Sequence, residues 1–162
     1  MRIATKSSKL NISKLENTKK IADIFAKNIF KGNIIFFYGE IGVGKTTFIK
    51  SLINSLEKTD KKNISEITSP TFSLMNQYKL NKCDIHHYDL YRLKSEKDIL
   101  SLNIFEDISD KILLIEWPEI LGEHKPRNTI DINFEYGENF NSRYLTISAY
   151  EKLKIFDEFK SL

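Results

Sequence analysis

Gly39 to Thr46 reads Gly-Glu-Ile-Gly-Val-Gly-Lys-Thr, the spacing GxxxxGK[ST] of a phosphate-binding loop. The chemistry that spacing allows is specific. Glycines let consecutive backbone N–H groups turn inward as an anion nest, and a helix starting at the loop adds partial positive charge. Lys45 then reaches the β and γ phosphates of a nucleotide, and Thr46 offers its hydroxyl to Mg²⁺. Glu40, Ile41, Gly42, Val43, Gly44, Lys45, Thr46 and Thr47 are therefore expected to surround the phosphates of a bound nucleotide.

A hydroxyl alone does not complete the surroundings of a metal ion, so an acid is expected at the end of a neighbouring strand. Glu116 directly follows the apolar run Ile112 to Ile115, where a carboxylate would emerge beside the loop, and is assigned to the metal directly or through water. Asp89 ends the stretch Ile85 to Asp89 and is assigned to the metal or to positioning water. Ser69-Pro-Thr-Phe72 is a turn stiffened by Pro70. Spacing alone makes it an ordinary turn, with presentation of Thr71 to the γ-phosphate as the alternative.

Three further patterns carry less. Asn81-Lys-Cys-Asp84 matches the NKxD guanine-reading pattern, but it sits at an expected hairpin tip with no accompanying DxxG segment. Cys83, Asp84, His86 and His87 suggest a metal cluster, yet strand alternation sends the two histidines to opposite faces. Trp117 reads first as a core or rim aromatic, and second as a stacking surface for a base or a partner.

The elements around these residues must put the loop between a buried strand and a helix. Ile34 to Tyr38 is an uninterrupted apolar run, as in a strand covered on both faces. Phe48, Ile49, Leu52, Ile53 and Leu56 recur at helical spacing just after the loop. An earlier helix carries Ile21, Ile24, Phe25 and Ile29, with Asn17 as its expected cap and Gly32 as its end. Strands are expected over Thr71 to Leu80 and Asp84 to Tyr91, joined across Asn81 and Lys82. Residues 95 to 109 read as helical and peripheral, Lys111 to Glu116 as a second buried strand. Ile130 to Tyr136 and Arg143 to Tyr150 form a late antiparallel pair, and residues 151 to 162 a short closing helix. The sum is an α/β fold, a mixed P-loop NTPase-like sheet flanked by helices, in one domain over residues 1 to 162.

Composition bounds the remaining possibilities. The 162 residues include 25 Lys and Arg against 22 Asp and Glu, and the hydrophobic fraction is 41%. Arg2, Lys6, Lys9, Lys14, Lys19 and Lys20 face Glu16 alone in the first 20 residues, which leaves a net −2 elsewhere. That end reads as solvated lysines, with contact to RNA phosphates as the alternative, and no broad basic stripe for DNA is visible. No apolar run approaches the roughly 20 residues of a membrane span, and no secretory segment follows the charged start. The single Cys83 cannot pair within the chain, so the expected compartment is the cytoplasm.

Gly39 to Thr47, Ser69-Pro-Thr-Phe72, His87-Tyr-Asp-Leu-Tyr-Arg-Leu93 and Ile115-Glu-Trp-Pro-Glu119, in that order, resemble the TsaE (formerly YjeE) family over roughly residues 12 to 149. The resemblance implies a small bacterial ATPase of tRNA threonylcarbamoyladenosine biosynthesis that joins TsaB and TsaD. In that family TsaD transfers a threonylcarbamoyl group to adenosine 37 of tRNA, and ATP hydrolysis supports repeated turnover. It implies catalytic roles for Lys45, Thr71, Asp89 and Glu116, switch behaviour for Ser69 to Phe72 and His87 to Leu93, and Mg²⁺ held by Thr46 with Glu116. Contact with tRNA is expected only through the complex or weakly, with no membrane or DNA partner. Lys50-Ser51 stands where the family usually has Arg-Gly, so a contact by that arginine does not carry over. Two rivals remain, a small-molecule kinase and a nucleotide-gated binding module without turnover. Only Arg92, Arg127 and Arg143 lie beyond the loop, few for a kinase's acceptor clamp or for a fast isolated ATPase.

Overall fold

A computed structural model describes residues 5–150 and 155–162. In chain order it contains β1 (Thr5–Lys6), β2 (Leu10–Asn11), α1 (Leu15–Ala26), β3 (Ile34–Tyr38), α2 (Lys45–Thr59), β4 (Met75–Lys79), β5 (Asp84–Asp89), α3 (Glu96–Ser101), β6 (Lys111–Glu116), β7 (Ile130–Tyr136), β8 (Arg143–Ala149) and α4 (Ile155–Phe159). Short 3₁₀ turns occupy Ile108–Asp110 and Pro118–His124. The strands form one mixed sheet in the order β1-β8-β7-β3-β6-β5-β4, with β2 also on β8. β7, β3, β6 and β5 are parallel, while β4 joins β5 and β8 joins β7 antiparallel.

Alternation along the central strands divides the core. Ile35 and Phe37 of β3 and Ile112 and Leu114 of β6 pack with α1 and α2, whereas Ile34, Phe36, Leu113 and Ile115 face α3 and Leu121. Both faces are covered, which is why these strands read as unbroken apolar runs. All five expected apolar positions of α2 are buried. Phe48 is fully buried, with ring centroids of Phe25, Phe37 and Phe134 at 6.1, 6.2 and 5.9 Å. Phe48→Ala is expected to cost about 3–5 kcal/mol, measured as a lower urea midpoint at unchanged slope.

Several expected boundaries move. Helix α1 starts two residues before Asn17, because the Lys14 carbonyl accepts from the N–H groups of Asn17 and Thr18 at 3.0 and 3.2 Å. It stops at Ala26 rather than Gly32: the Asn28 side-chain amide donates to the Ile24 carbonyl, and Gly32 instead makes a positive-φ turn into β3. Residues 95–109 hold one short helix, α3, capped by Ser95 and followed by left-handed Asn103 and Asp107, which a continuous helix does not admit. Strand β4 begins at Met75, not Thr71, since left-handed Leu74 closes a turn by donating its N–H to the Pro70 carbonyl at 2.7 Å.

The chain start is more structured than its composition suggests. β1 and β2 pair with β8, Leu10 and Ile12 are buried, and Lys9 pairs with Glu135 beneath a cation–π contact to Tyr144. Of the basic end, residues 1–4 lie outside the described residues. So do residues 151–154 of the expected closing helix, whose remainder is α4, packed through Ile155, Phe156 and Phe159.

Candidate nucleotide-binding site

The loop after β3 is set by geometry that few residues accept. Gly39 has φ 140°, and a Cβ there would lie 2.8 Å from the Phe134 carbonyl oxygen, so only glycine lets β3 turn off the sheet against β7. Gly44, at φ 115°, occupies the N-cap of α2. The register then aligns strand ends under the loop: Phe37 and Asp89 both pair with Glu116. This is the carboxyl end of a parallel sheet, where α/β folds place ligands.

A cleft of about 300 Å³ opens there. Ile41, Gly42, Gly44, Lys45, Thr46, Thr47, Thr71, Asp89 and Glu116 line it, together with Ser69, Tyr91 and Trp117. Every side chain singled out for catalysis in the sequence is therefore brought to one place. Glu40 and Val43 are not among the lining residues: Glu40 is exposed and Val43 is buried beneath the loop, so a contact from either would be made by backbone.

Lys45 is 4% exposed and folded into its own loop. Its Nζ donates to the carbonyls of Gly39 and Glu40 at 2.5 and 2.9 Å and lies 4.1 Å from the Trp117 ring centroid. Burial pushes its ammonium below the ordinary lysine range, opposed by the carboxylates of Glu116, Glu119 and Asp89. Thr46 Oγ1 lies 3.0 and 3.2 Å from the two carboxylate oxygens of Glu116, itself 2% exposed. A hydroxyl that donates to Glu116 keeps its lone pairs for a cation.

Asp89 ties two segments together. Its Oδ2 accepts from Thr71 Oγ1 at 2.8 Å, its Oδ1 from the Tyr91 N–H at 3.0 Å, and its own N–H donates to the Leu74 carbonyl. Thr71 Oγ1 also lies 2.8 Å from Ser69 Oγ. The turn Ser69 to Phe72 is thus fastened to the end of β5 through one carboxylate.

His87 and Trp117 have larger parts than sequence reasoning gave them. His87 is fully buried with Nε2 2.8 Å from Glu116 Oε1. Period-two alternation from Asp89 puts it on the site face, whereas the sequence pattern grouped it with Cys83, Asp84 and His86 as a weak metal cluster. Among the described residues no group of three His, Cys, Asp or Glu is arranged to hold a metal. Trp117 adopts φ 57°, rare for a bulky residue, which turns its ring over Lys45 and 4.9 Å from the Tyr91 ring. Asn81 instead fastens the hairpin tip to the end of α2, donating from its backbone N–H and its side-chain amide to Asp60. Arg92 stacks on Phe72 at 5.2 Å and Arg143 on Tyr136 at 5.7 Å, and neither lines the cleft.

Comparison with known proteins gives a consistent result. The crystal structure of Bacillus subtilis YdiB superposes with a TM-score of 0.73 at 21% identity, covering 99% of this chain and 98% of that one, which establishes the shared fold. Curated relatives carry the name tRNA threonylcarbamoyladenosine biosynthesis protein TsaE. The one from Rickettsia conorii is 37% identical over 85% of this chain and 75% of its own length. The Nostoc relative is 32% identical over 88% and 86%, and the Bacillus subtilis relative 31% over 72% and 70%. Residues 12–145 match the family described as threonylcarbamoyl adenosine biosynthesis protein TsaE. With its loop, its strand-end acids and its fold all in the expected places, the chain belongs to the TsaE family.

Proposed function

We propose that this chain is an Mg²⁺-dependent ATPase subunit that supports threonylcarbamoyl transfer to adenosine 37 of tRNA, acting with TsaB and TsaD. The tRNA role is proposed from family membership and from the names of the relatives. The observation that best supports the ATPase reading is the Thr46 hydroxyl set against the buried Glu116 carboxylate, directly after Lys45 at the end of the loop. One hydroxyl and one carboxylate form a hard, oxygen-only donor set. It suits Mg²⁺, which usually shares few protein ligands with substrate phosphates and water.

On this reading the loop N–H groups hold the phosphates, Lys45 turns from the Gly39 and Glu40 carbonyls toward the β and γ oxygens, and Thr46 with Glu116 retains the ion. Mg²⁺, when bound, neutralises charge on the β and γ phosphates. Asp89 holds Thr71 at the cleft and is the candidate to orient a water. The cleft lining contains no arginine among the described residues, which speaks against a kinase's acceptor clamp.

Glu116→Gln tests the reading. Phosphate release should fall by about 10²-fold or more across an Mg²⁺ titration, with metal-free nucleotide affinity retained. In a reconstituted reaction with TsaB, TsaD, tRNA and preformed threonylcarbamoyl-adenylate, the variant should lower the number of modified tRNAs per complex toward a single turnover. Normal hydrolysis at every Mg²⁺ concentration would move the metal role to Asp89.

A further inference from the structure

His87 sits on β5 one strand from Glu116 and has no exposed surface. Its Nε2 lies 2.8 Å from Glu116 Oε1, the oxygen 3.2 Å from Thr46 Oγ1, while Oε2 lies 3.0 Å from the same hydroxyl. An ionised carboxylate only accepts, so the ring donates from Nε2. The other nitrogen, Nδ1, is buried and makes no hydrogen bond among the described residues. The ring is thus held to a single polar partner, and that partner is the acid at the candidate metal site.

A carboxylate as buried as Glu116 needs donors, and the type of donor matters. An Arg or Lys in place of His87 would also satisfy it, but would compete with a cation for the same charge. An imidazole N–H supplies a directed hydrogen bond on one oxygen and leaves the carboxylate free to attract an ion. We infer that His87 is a positioning residue that fixes the Glu116 carboxylate against Thr46 and thereby sets the divalent-cation affinity of the site. The inference rests on the nucleotide-site reading above, and it follows the general pattern in which a hydrogen-bonding partner orients a metal-binding side chain.

The test uses the full chain with ADP and follows Mn²⁺ binding by the loss of the free-ion EPR signal, alongside ADP affinity in EDTA. His87→Leu, which keeps much of the volume and removes the donor, should weaken Mn²⁺ binding about 10- to 100-fold while leaving metal-free ADP affinity unchanged. His87→Gln carries an amide N–H near the position of Nε2 and should restore most of the Mn²⁺ affinity. His87→Asn, whose amide ends near the position of Nδ1, should not. Unchanged Mn²⁺ affinity in a folded His87→Leu protein overturns the proposal. Should that variant fail to fold, the Gln and Asn pair decides, and equal Mn²⁺ affinities for the two overturn it. A parent chain that binds neither ADP nor Mn²⁺ overturns the nucleotide-site reading itself, and the proposal with it.

Discussion

Lys45→Ala is expected to eliminate productive ATP binding and to reduce any residual phosphate release by about 10²- to 10³-fold, the scale on which removing one preorganised charge-stabilising group lowers turnover. The backbone nest alone offers neutral donors, and the γ-phosphate would then lack the one lysine that lines the cleft among the described residues. Lys45 is already desolvated, with burial disfavouring its charged form and nearby carboxylates restoring it. A phosphate therefore meets an ammonium that has lost most of its water and is held by two loop carbonyls and one indole face. Exchanging those contacts for phosphate oxygens requires little further dehydration. Fluorescent nucleotide titration and phosphate release measure the two effects separately, and parent-like values in both would remove the phosphate-loop reading. The fold should persist, since Lys45 packs at the cleft and not among the rings around Phe48.

Much of this site was readable from residues alone because the loop and its acid are local features with strict chemistry. Glycine spacing dictated the nest, and the apolar run before Glu116 dictated a buried strand ending in a carboxylate. What escaped depended on contacts far apart in sequence. β1 and β2 exist only because β8 offers them an edge, and a two-residue strand has no periodicity to detect. The Leu74 turn replaced the first part of an expected strand because closure onto Pro70 outweighed the extended bias of the Thr71 to Leu80 pattern. The part played by His87 required knowing that β5 lies beside β6 in a register pairing Asp89 with Glu116. The positive φ of Trp117 is likewise a tertiary outcome, seen only once the ring is found over Lys45.

The largest effect on rate is expected from partners. Developing negative charge on a transferring phosphoryl group needs positive charge beyond the loop lysine, and an arginine supplied in trans contributes about 10³- to 10⁵-fold in phosphate-loop enzymes. Here Arg92 is turned onto Phe72 and Arg143 onto Tyr136, so the isolated chain should hydrolyse ATP slowly. The segments that could change this are joined at Asp89, which bonds both Thr71 and the Tyr91 N–H. Phe72 and Tyr91, beside those bonds, are 86% and 52% exposed, and Ile41 across the cleft is 66% exposed. A TsaB and TsaD pair covering these apolar side chains would fix both segments around the γ-phosphate. Reorientation of Arg92 or provision of a cation by the partner would then raise the rate. Coupling of this kind is reciprocal, so a non-hydrolysable ATP analogue should strengthen partner binding relative to ADP by the same factor, about 5- to 150-fold, by which the partner strengthens analogue binding relative to ADP. Calorimetry on both arms and phosphate release with and without the pair measure it. Thr71→Val, which removes the hydroxyl that donates to Asp89 while keeping the side chain's size, should reduce the stimulation by the pair. Equal affinities with either nucleotide, together with an unstimulated rate, would leave Ser69 to Phe72 and His87 to Leu93 without a switching role and favour a nucleotide-bound module that turns over little.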